Sequence, residues 1–138
     1  MKKILFILIA FAAISCGKQK PEEMLTNLSG YWEIKKVEMP DGSDRDYKIS
    51  PIVDFIELNG TEGIRTKVSP QLDGTFKTNG TAEIFKAKIE GDSLNLYYKT
   101  PYDTWKETVL KAEDSILVIK NRDDKIYQYK KFVKFDFE

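Results

Sequence analysis

The sequence predicts an all-β domain, either a sandwich or a barrel. After residue 28, runs of β-branched and aromatic residues alternate with pairs of turn residues at intervals of roughly 8–12 residues. No long stretch has the periodicity of a helix. The turn pairs accept the positive φ angles of tight hairpins, and they are Asp41-Gly42, Asn59-Gly60, Asp73-Gly74, Asn79-Gly80 and Gly91-Asp92.

Before the first strand, residues 21–28 are predicted to form a short helical turn that begins at Pro21. Alternation then supports the strands, because Leu94, Leu96 and Tyr98 share one face. In the last run, Lys131 interrupts an otherwise aromatic and aliphatic row. The eight predicted strands are residues 30–39, 51–58, 63–69, 81–90, 93–100, 104–112, 115–120 and 125–135.

The first fifteen residues are typical of a secretory signal peptide. Lys2 and Lys3 precede an uncharged apolar run, which is about half the roughly 20 residues that a membrane-spanning helix needs. Ala13-Ile14-Ser15-Cys16 resembles the lipobox of bacterial lipoproteins, and Cys16 is the single cysteine of the chain. The resemblance implies cleavage before Cys16 and fatty acyl chains, such as palmitate, on that residue. The alternative is an ordinary signal peptide.

The segment after the cysteine bears on localisation. Gly17 stands where an Asp would signal retention in the inner membrane, so the resemblance favours the outer membrane and leaves the periplasmic or surface face open. Residues 18–23 are polar and contain a proline, which predicts that residues 16–27 form a flexible tether. The domain itself is expected over residues 28–138.

Composition excludes several classes of function. Without residues 1–15, acidic residues outnumber basic ones by two, so nucleic acid is not an expected partner. Histidine is absent, which removes Ser-His-Asp catalysis and histidine-containing zinc sites. We expect no cofactor, no metal and no disulfide.

Gly30-Tyr31-Trp32 resembles the first signature of lipocalins, in which the tryptophan plugs the closed end of the barrel. The similarity covers about residues 28–134 and implies a single eight-stranded antiparallel up-and-down barrel. Lipocalins also pack a late arginine over this tryptophan. Lys130 and Lys131 lack the planar head of arginine, so we do not expect an equivalent contact.

The inward rows of such a barrel supply the candidate ligand-binding residues. They either form the core or line a cavity, since eight strands allow both. Glu107 and Lys131 fall on apolar rows and are expected to be polar groups of the cavity. Residues 100–107 are the candidate mouth. The full set is Trp32, Phe55, Phe85, Leu96, Tyr98, Trp105, Glu107, Tyr127, Tyr129 and Lys131.

Two functions follow from this fold. The first is a membrane-anchored protein that binds a small hydrophobic ligand in the cell envelope. The second is an interaction module with a filled barrel, which contacts an envelope protein or a cell-wall polymer. An enzyme is not expected, because no catalytic motif surrounds the candidate carboxylates. These carboxylates are Asp54, Glu57, Asp103 and Glu107. Two segments fit either a turn or an O-glycan acceptor, namely Asp92-Ser93-Leu94 and Asp114-Ser115-Ile116.

Overall fold

The computed structural model describes residues 19–134, without the side chain of Asn79. The predicted signal peptide, Cys16 and residues 135–138 therefore lie outside the described residues. One helix and nine strands are present in this range. They are α1 (Pro21–Thr26), β1 (Gly30–Glu38), β2 (Asp44–Asp46), β3 (Val53–Asn59), β4 (Glu62–Pro70), β5 (Phe76–Glu90), β6 (Ser93–Lys99), β7 (Thr104–Ala112), β8 (Ile116–Lys120) and β9 (Ile126–Lys131).

Eight of these strands form a closed antiparallel barrel. Each of β3 to β9 pairs with the next strand along the chain, and β1 pairs with both β3 and β9 to close the ring. The predicted all-β, eight-stranded barrel is therefore confirmed. Strand β2 was not predicted. It pairs with the end of β1, where β1 has already separated from β3.

The hairpin turn predicted at Asn79-Gly80 was wrong. Asp73-Gly74 does form the β4–β5 turn, but Asn79-Gly80 lies inside β5, which begins at Phe76. Gly80 has φ +81° at the place where the pairing with β4 shifts register. The positive φ that suggested a hairpin therefore serves a β-bulge instead.

Helix α1 covers one end of the barrel, which we call the closed end. Met24 and Leu28 are buried there, and the Trp32 indole donates a hydrogen bond of 2.9 Å to the Leu28 carbonyl. The side chain of Gln19 bonds to both the N–H and the carbonyl of Ala112. Residues 19–27, expected as part of a flexible tether, therefore pack against the barrel because they carry apolar and amide groups that the barrel end can bind.

The closed half of the barrel is filled with apolar side chains. The other end, which we call the open end, is formed by the loops 39–43, 47–52, 71–75, 100–103 and 121–125. No helix within residues 19–134 is long and apolar enough to cross a membrane. The largest fully buried side chains of the core include Trp32, Ile56, Phe85, Leu94, Leu96, Val109, Leu117 and Ile119.

Candidate functional site

Above the apolar core, the interior is organised by Arg65 on β4. Two residues earlier on β4, the inner face of Gly63 lies against the buried Phe85 ring. Strand residues two apart share a face, so the Arg65 side chain also points inward. Only 11% of the Arg65 side chain is exposed. Sequence reasoning did not identify Arg65. The other face of β4 carries the more apolar pattern of Ile64 and Val68, which obscured the direction of the arginine.

All five N–H groups of the Arg65 guanidinium are bonded. Nε and Nη2 donate to the same oxygen of Asp54, at 3.2 and 2.7 Å. Nη2 also donates to the Tyr129 hydroxyl at 2.8 Å. Nη1 donates to the Tyr98 hydroxyl and to Glu107, each at 3.2 Å. A guanidinium with every donor engaged leaves no free group for an anion, so this layer is a polar floor rather than an anion site.

The pKa values of the two carboxylates of this floor are shifted in opposite directions. Burial alone would raise the pKa of Asp54, but Arg65 and Lys67 lower it below its ordinary value. The Lys67 ammonium lies 2.8 Å from Asp54. At Glu107 burial outweighs Arg65, and the pKa is raised. Asp54 is therefore the principal counter-charge of Arg65.

Tyr98 and Tyr129 complete the floor. Burial raises the pKa of Tyr98 to about 12, although Arg65 acts in the opposite direction. The pKa of Tyr129 is also raised by burial, against the effect of Arg65. Both hydroxyls therefore stay protonated near neutral pH. Each accepts a bond from Arg65 and keeps its own proton to donate.

A cavity of about 420 Å³ lies over this floor at the open end. A second space of about 190 Å³ shares Lys67, Tyr127 and Tyr129 with it. The smaller space lies where β1 has separated from β3, and Ile52 of the 47–52 loop borders it. The larger cavity is lined by Arg65, Lys67, Thr81, Glu83, Glu107, Asn121, Tyr127 and Tyr129.

The structure brings most of the predicted site residues into the barrel. Trp32, Phe85 and Leu96 belong to the filled core. Tyr98, Glu107 and Tyr129 belong to the Arg65 floor, as described above. Trp105 stacks on Tyr98 with ring centroids 5.1 Å apart, and Tyr127 lines the cavity.

Two predicted placements were wrong. Phe55 lies on the outer face, where it stacks on Tyr31 at 4.3 Å, because its neighbours Asp54 and Ile56 take the inward positions. Lys131 is exposed at the closed end and does not reach the cavity. Glu107 and Lys131 therefore do not form a pair of cavity groups.

Lys131 instead packs over Trp32, a contact that was not expected because lysine lacks the planar head of arginine. Its ammonium lies 4.6 Å from the centroid of the Trp32 ring and donates to the Ser29 carbonyl at 3.3 Å. A point charge over an indole face is attracted by the ring electrons. Lysine thus occupies the place that the resemblance gives to arginine.

The predicted mouth segment lies at the open end. Its tip, Tyr102, is 97% exposed. Asp103 forms an ion pair of 2.8 Å with Arg122 of the next open-end loop, and Arg122 lies over the Trp105 ring. These contacts connect the 100–103 and 121–125 loops.

The four carboxylates considered for catalysis lie in different surroundings. Asp54 and Glu107 both bond to Arg65, but only Glu107 has a raised pKa. Asp103 is paired with Arg122, and Glu57 is exposed. Within residues 19–134, no group of acidic, histidine or cysteine side chains is arranged to hold a metal ion.

A barrel with one end plugged and a cavity at the other defines a class of small β-barrel binding proteins. The chain belongs to the lipocalin-like domain family, whose model matches residues 28–119. This fold suggests small-molecule binding, and the family is typically non-enzymatic.

Two solved structures are similar to this chain. A lipocalin-like protein from Bacteroides uniformis is 12% identical, with 77% of this chain and 99% of that chain covered and a TM-score of 0.49. An uncharacterized protein from Bacteroides eggerthii is 11% identical, with 75% of this chain and 98% of that chain covered and a TM-score of 0.48. No curated protein matches the chain.

Proposed function

We propose that this protein is a lipid-anchored protein of the bacterial envelope that binds a small molecule at the open end of its barrel. The observation that carries the proposal is the cavity of about 420 Å³ over the Arg65 floor. Its volume falls in the range of roughly 300–1,000 Å³ that is typical of small-molecule sites.

The lining refines the class of ligand. Tyr129 offers a hydroxyl proton, and Lys67 offers the ammonium of a side chain that is 57% exposed. Tyr127 and Ile52 offer apolar surface beside them. A ligand that combines hydrogen-bond acceptors with an apolar part matches these groups better than a purely hydrophobic molecule does, because unpaired polar groups of the cavity would lose their water without compensation.

Native mass spectrometry of the mature chain, with Cys16 replaced by Ser, tests this function. A stoichiometric extra mass that is also found in an organic extract supports it. Occupancy should fall in Tyr127→Ala and Lys67→Met, whose side chains line the cavity, and stay unchanged in Lys35→Met, which lies exposed on β1. A clean mass in every protein would favour the alternative of an interaction module, which the filled closed half of the barrel also supports.

The anchor has a separate test. In Cys16→Ala no thiol remains for the acyl chains, and more than one buried chain is what holds a lipoprotein stably to a membrane. We expect the variant to move from the detergent phase to the aqueous phase in phase partitioning. Recovery of the variant with membranes would contradict the lipid anchor and with it the proposed outer-membrane localisation.

The geometry of the N-terminus gives the proposed anchor a direction. Gln19 is bonded to Ala112 at the closed end, and it stands three positions after Cys16 in the chain. Three steps from one Cα to the next span at most about 11 Å. We therefore propose that the closed end faces the membrane and that the open end, with its cavity, faces away from it.

A further inference from the structure

Glu83 on β5 is a carboxylate of the open-end cavity to which Arg65 donates no hydrogen bond. It lies directly opposite Arg65 in the β4–β5 register, and residues that face each other across two strands share one side of the sheet. Because Arg65 points inward, Glu83 does so as well. Its side chain is partly buried and lines the cavity of about 420 Å³.

The cations closest to Glu83 in the sheet are engaged by other groups. Every N–H group of Arg65 donates to the partners described above. Lys67 lies opposite Asp54 in the β3–β4 register, and its ammonium bonds to that carboxylate at 2.8 Å. Within the part of the chain that the structure describes, Glu83 forms no ion pair. No direct contact with a cation therefore neutralises its charge.

The charged groups of the cavity favour a positive occupant. Arg65 and Lys67 supply two positive charges. Glu83 and Glu107 line the same cavity, and Asp54 bonds to both cations. Three carboxylates and two cations leave one negative charge when all are ionised. The effect of Glu83 reaches the floor, because burial raises the pKa of Glu107 and the Glu83 charge raises it further.

The rim formed by residues 100–103 and 120–125 is neutral in sum. Arg122 forms an ion pair of 2.8 Å with Asp103, and Lys120 forms one of 3.4 Å with Asp124. The basic residues of this rim are matched in number by acidic ones, namely Lys120, Arg122 and Lys125 by Asp103, Asp123 and Asp124. A cation carried by the ligand is therefore the complement that the cavity lacks.

The rest of the lining suits the other parts of such a ligand. The partly buried Tyr127 ring stacks with that of Tyr129, with centroids 6.4 Å apart. An aromatic face packs against carbon and also attracts a nearby cation. The Tyr129 hydroxyl and the Lys67 ammonium remain for a hydrogen-bond acceptor of the same molecule.

We propose that the ligand of the open-end cavity is an organic amine, whose ammonium group pairs with Glu83 and whose apolar part packs against Tyr127. This inference rests on the proposed function, that the cavity binds a small molecule, and adds the charge of that molecule. A neutral or anionic ligand would displace water from the Glu83 carboxylate without replacing its lost hydration.

Tryptamine is the probe, and tryptophol and indole-3-propionate are its neutral and anionic counterparts. The three molecules share the indole ring and differ in the charge at the end of a short side chain. Binding is measured by isothermal titration calorimetry at neutral pH with the mature Cys16→Ser chain. We expect tryptamine to bind at least about tenfold more tightly than either counterpart, because it alone pairs with Glu83.

Glu83→Gln removes the charge and keeps the shape of the side chain. It should weaken tryptamine binding by about tenfold or more and change tryptophol binding by less than about twofold. The matched control is Glu57→Gln, which removes an exposed carboxylate outside the cavity and should bind tryptamine as the parent does. Circular dichroism and urea titration check that both variants keep the fold.

Tyr127→Ala distinguishes failure of this inference from failure of the proposed function. Binding of tryptophol or indole-3-propionate as tight as that of tryptamine, and lost in Tyr127→Ala, would overturn the amine and leave the proposed function standing. Equal losses in Glu83→Gln and Glu57→Gln would also overturn the amine, because general charge attraction would then explain the binding. If none of the three molecules binds, the amine class is wrong, and the native mass spectrum decides the proposed function separately. Selectivity for tryptamine that disappears in Glu83→Gln alone supports the inference.

Discussion

At the scale of single residues, Arg65 determines how polar the interior of the barrel is. A buried cation is tolerated only with compensation, and here one carboxylate on β3, one on β7 and two tyrosine hydroxyls supply it. The layer divides the interior into a filled apolar half below and an open half above. Any ligand in the cavity therefore meets the tyrosine hydroxyls and the Lys67 ammonium at its lower side.

Replacing Arg65 by Met tests how much this layer stabilises the folded protein. The change leaves Asp54 and Glu107 buried without their common partner, and loss of one member of a buried ion pair costs about 3–5 kcal/mol. We expect the free energy of unfolding, measured by urea titration, to fall by that amount. Lys35→Met on the outer face of β1 is the control and should change it by less than about 0.5 kcal/mol. A small effect in Arg65→Met would show that the floor is not a stabilising unit.

The two carboxylates of the floor should shape the pH dependence of stability in opposite ways. The folded pKa of Asp54 lies below its ordinary value of 3.8, so Asp54 adds stability above that pH and loses it as pH falls through the folded pKa. The folded pKa of Glu107 lies above 4.5, so its contribution is present below that pH and lost as pH rises through the folded pKa.

Urea midpoints measured from neutral pH down to about pH 3 separate these contributions. In Asp54→Asn the decline below the ordinary pKa of aspartate should be shallower than in the parent. In Glu107→Gln the gain on acidification toward the ordinary pKa of glutamate should be absent. Curves for both variants that run parallel to that of the parent would show that neither carboxylate has a shifted pKa.

At the scale of elements, the β4–β5 hairpin requires glycine at Gly63 and at Gly80 for two different reasons. A Cβ at Gly63 would lie 2.1 Å from the Phe85 ring, whereas a Cβ at Gly80 would meet nothing within 4 Å. Gly80 instead needs its positive φ for the bulge. One position is fixed by packing and the other by backbone conformation alone.

Substitution should distinguish the two reasons. Gly63→Ala forces a buried ring to move and should lower the free energy of unfolding by about 3 kcal/mol. Gly80→Asn keeps a residue that tolerates the left-handed region and should cost well under about 1 kcal/mol. Thermal and urea unfolding measure both. Similar costs at the two sites would contradict the close approach of Phe85 to β4.

The same elements show how far sequence reasoning reaches. Alternation and turn residues predicted the barrel strands, since side chains of one face recur at every second position. The pattern did not reveal the bulge at Gly80, because hairpins and bulges both use positive φ. It also placed Phe55 inward and missed Arg65. A buried arginine depends on partners from β3, β6, β7 and β9, and their meeting point follows from strand register rather than from local sequence.

At the scale of the whole molecule, the two ends of the barrel differ in structure. The closed end holds α1, Trp32 with Lys131, and the N-terminal residues that lead back to Cys16. The open end holds the cavity and the exposed loops. A short connection to an anchor therefore restricts which end can approach the membrane, whereas an anchor attached near the open end would bury the cavity entrance against lipid.

Site-specific labels on the lipidated protein test this orientation. In Ser115→Cys the label sits on the closed-end turn between β7 and β8, and in Tyr102→Cys it sits at the tip of the open-end loop. In the proposed lipidated form Cys16 is acylated, so the introduced cysteines are the reactive thiols. With a fluorophore at each site, nitroxide lipids in the vesicle should quench the label at position 115 much more strongly than the label at 102. Equal quenching would mean that the barrel lies on its side, and stronger quenching at 102 would place the cavity against the membrane, so that its ligand would be exchanged with the bilayer rather than with the surrounding solution.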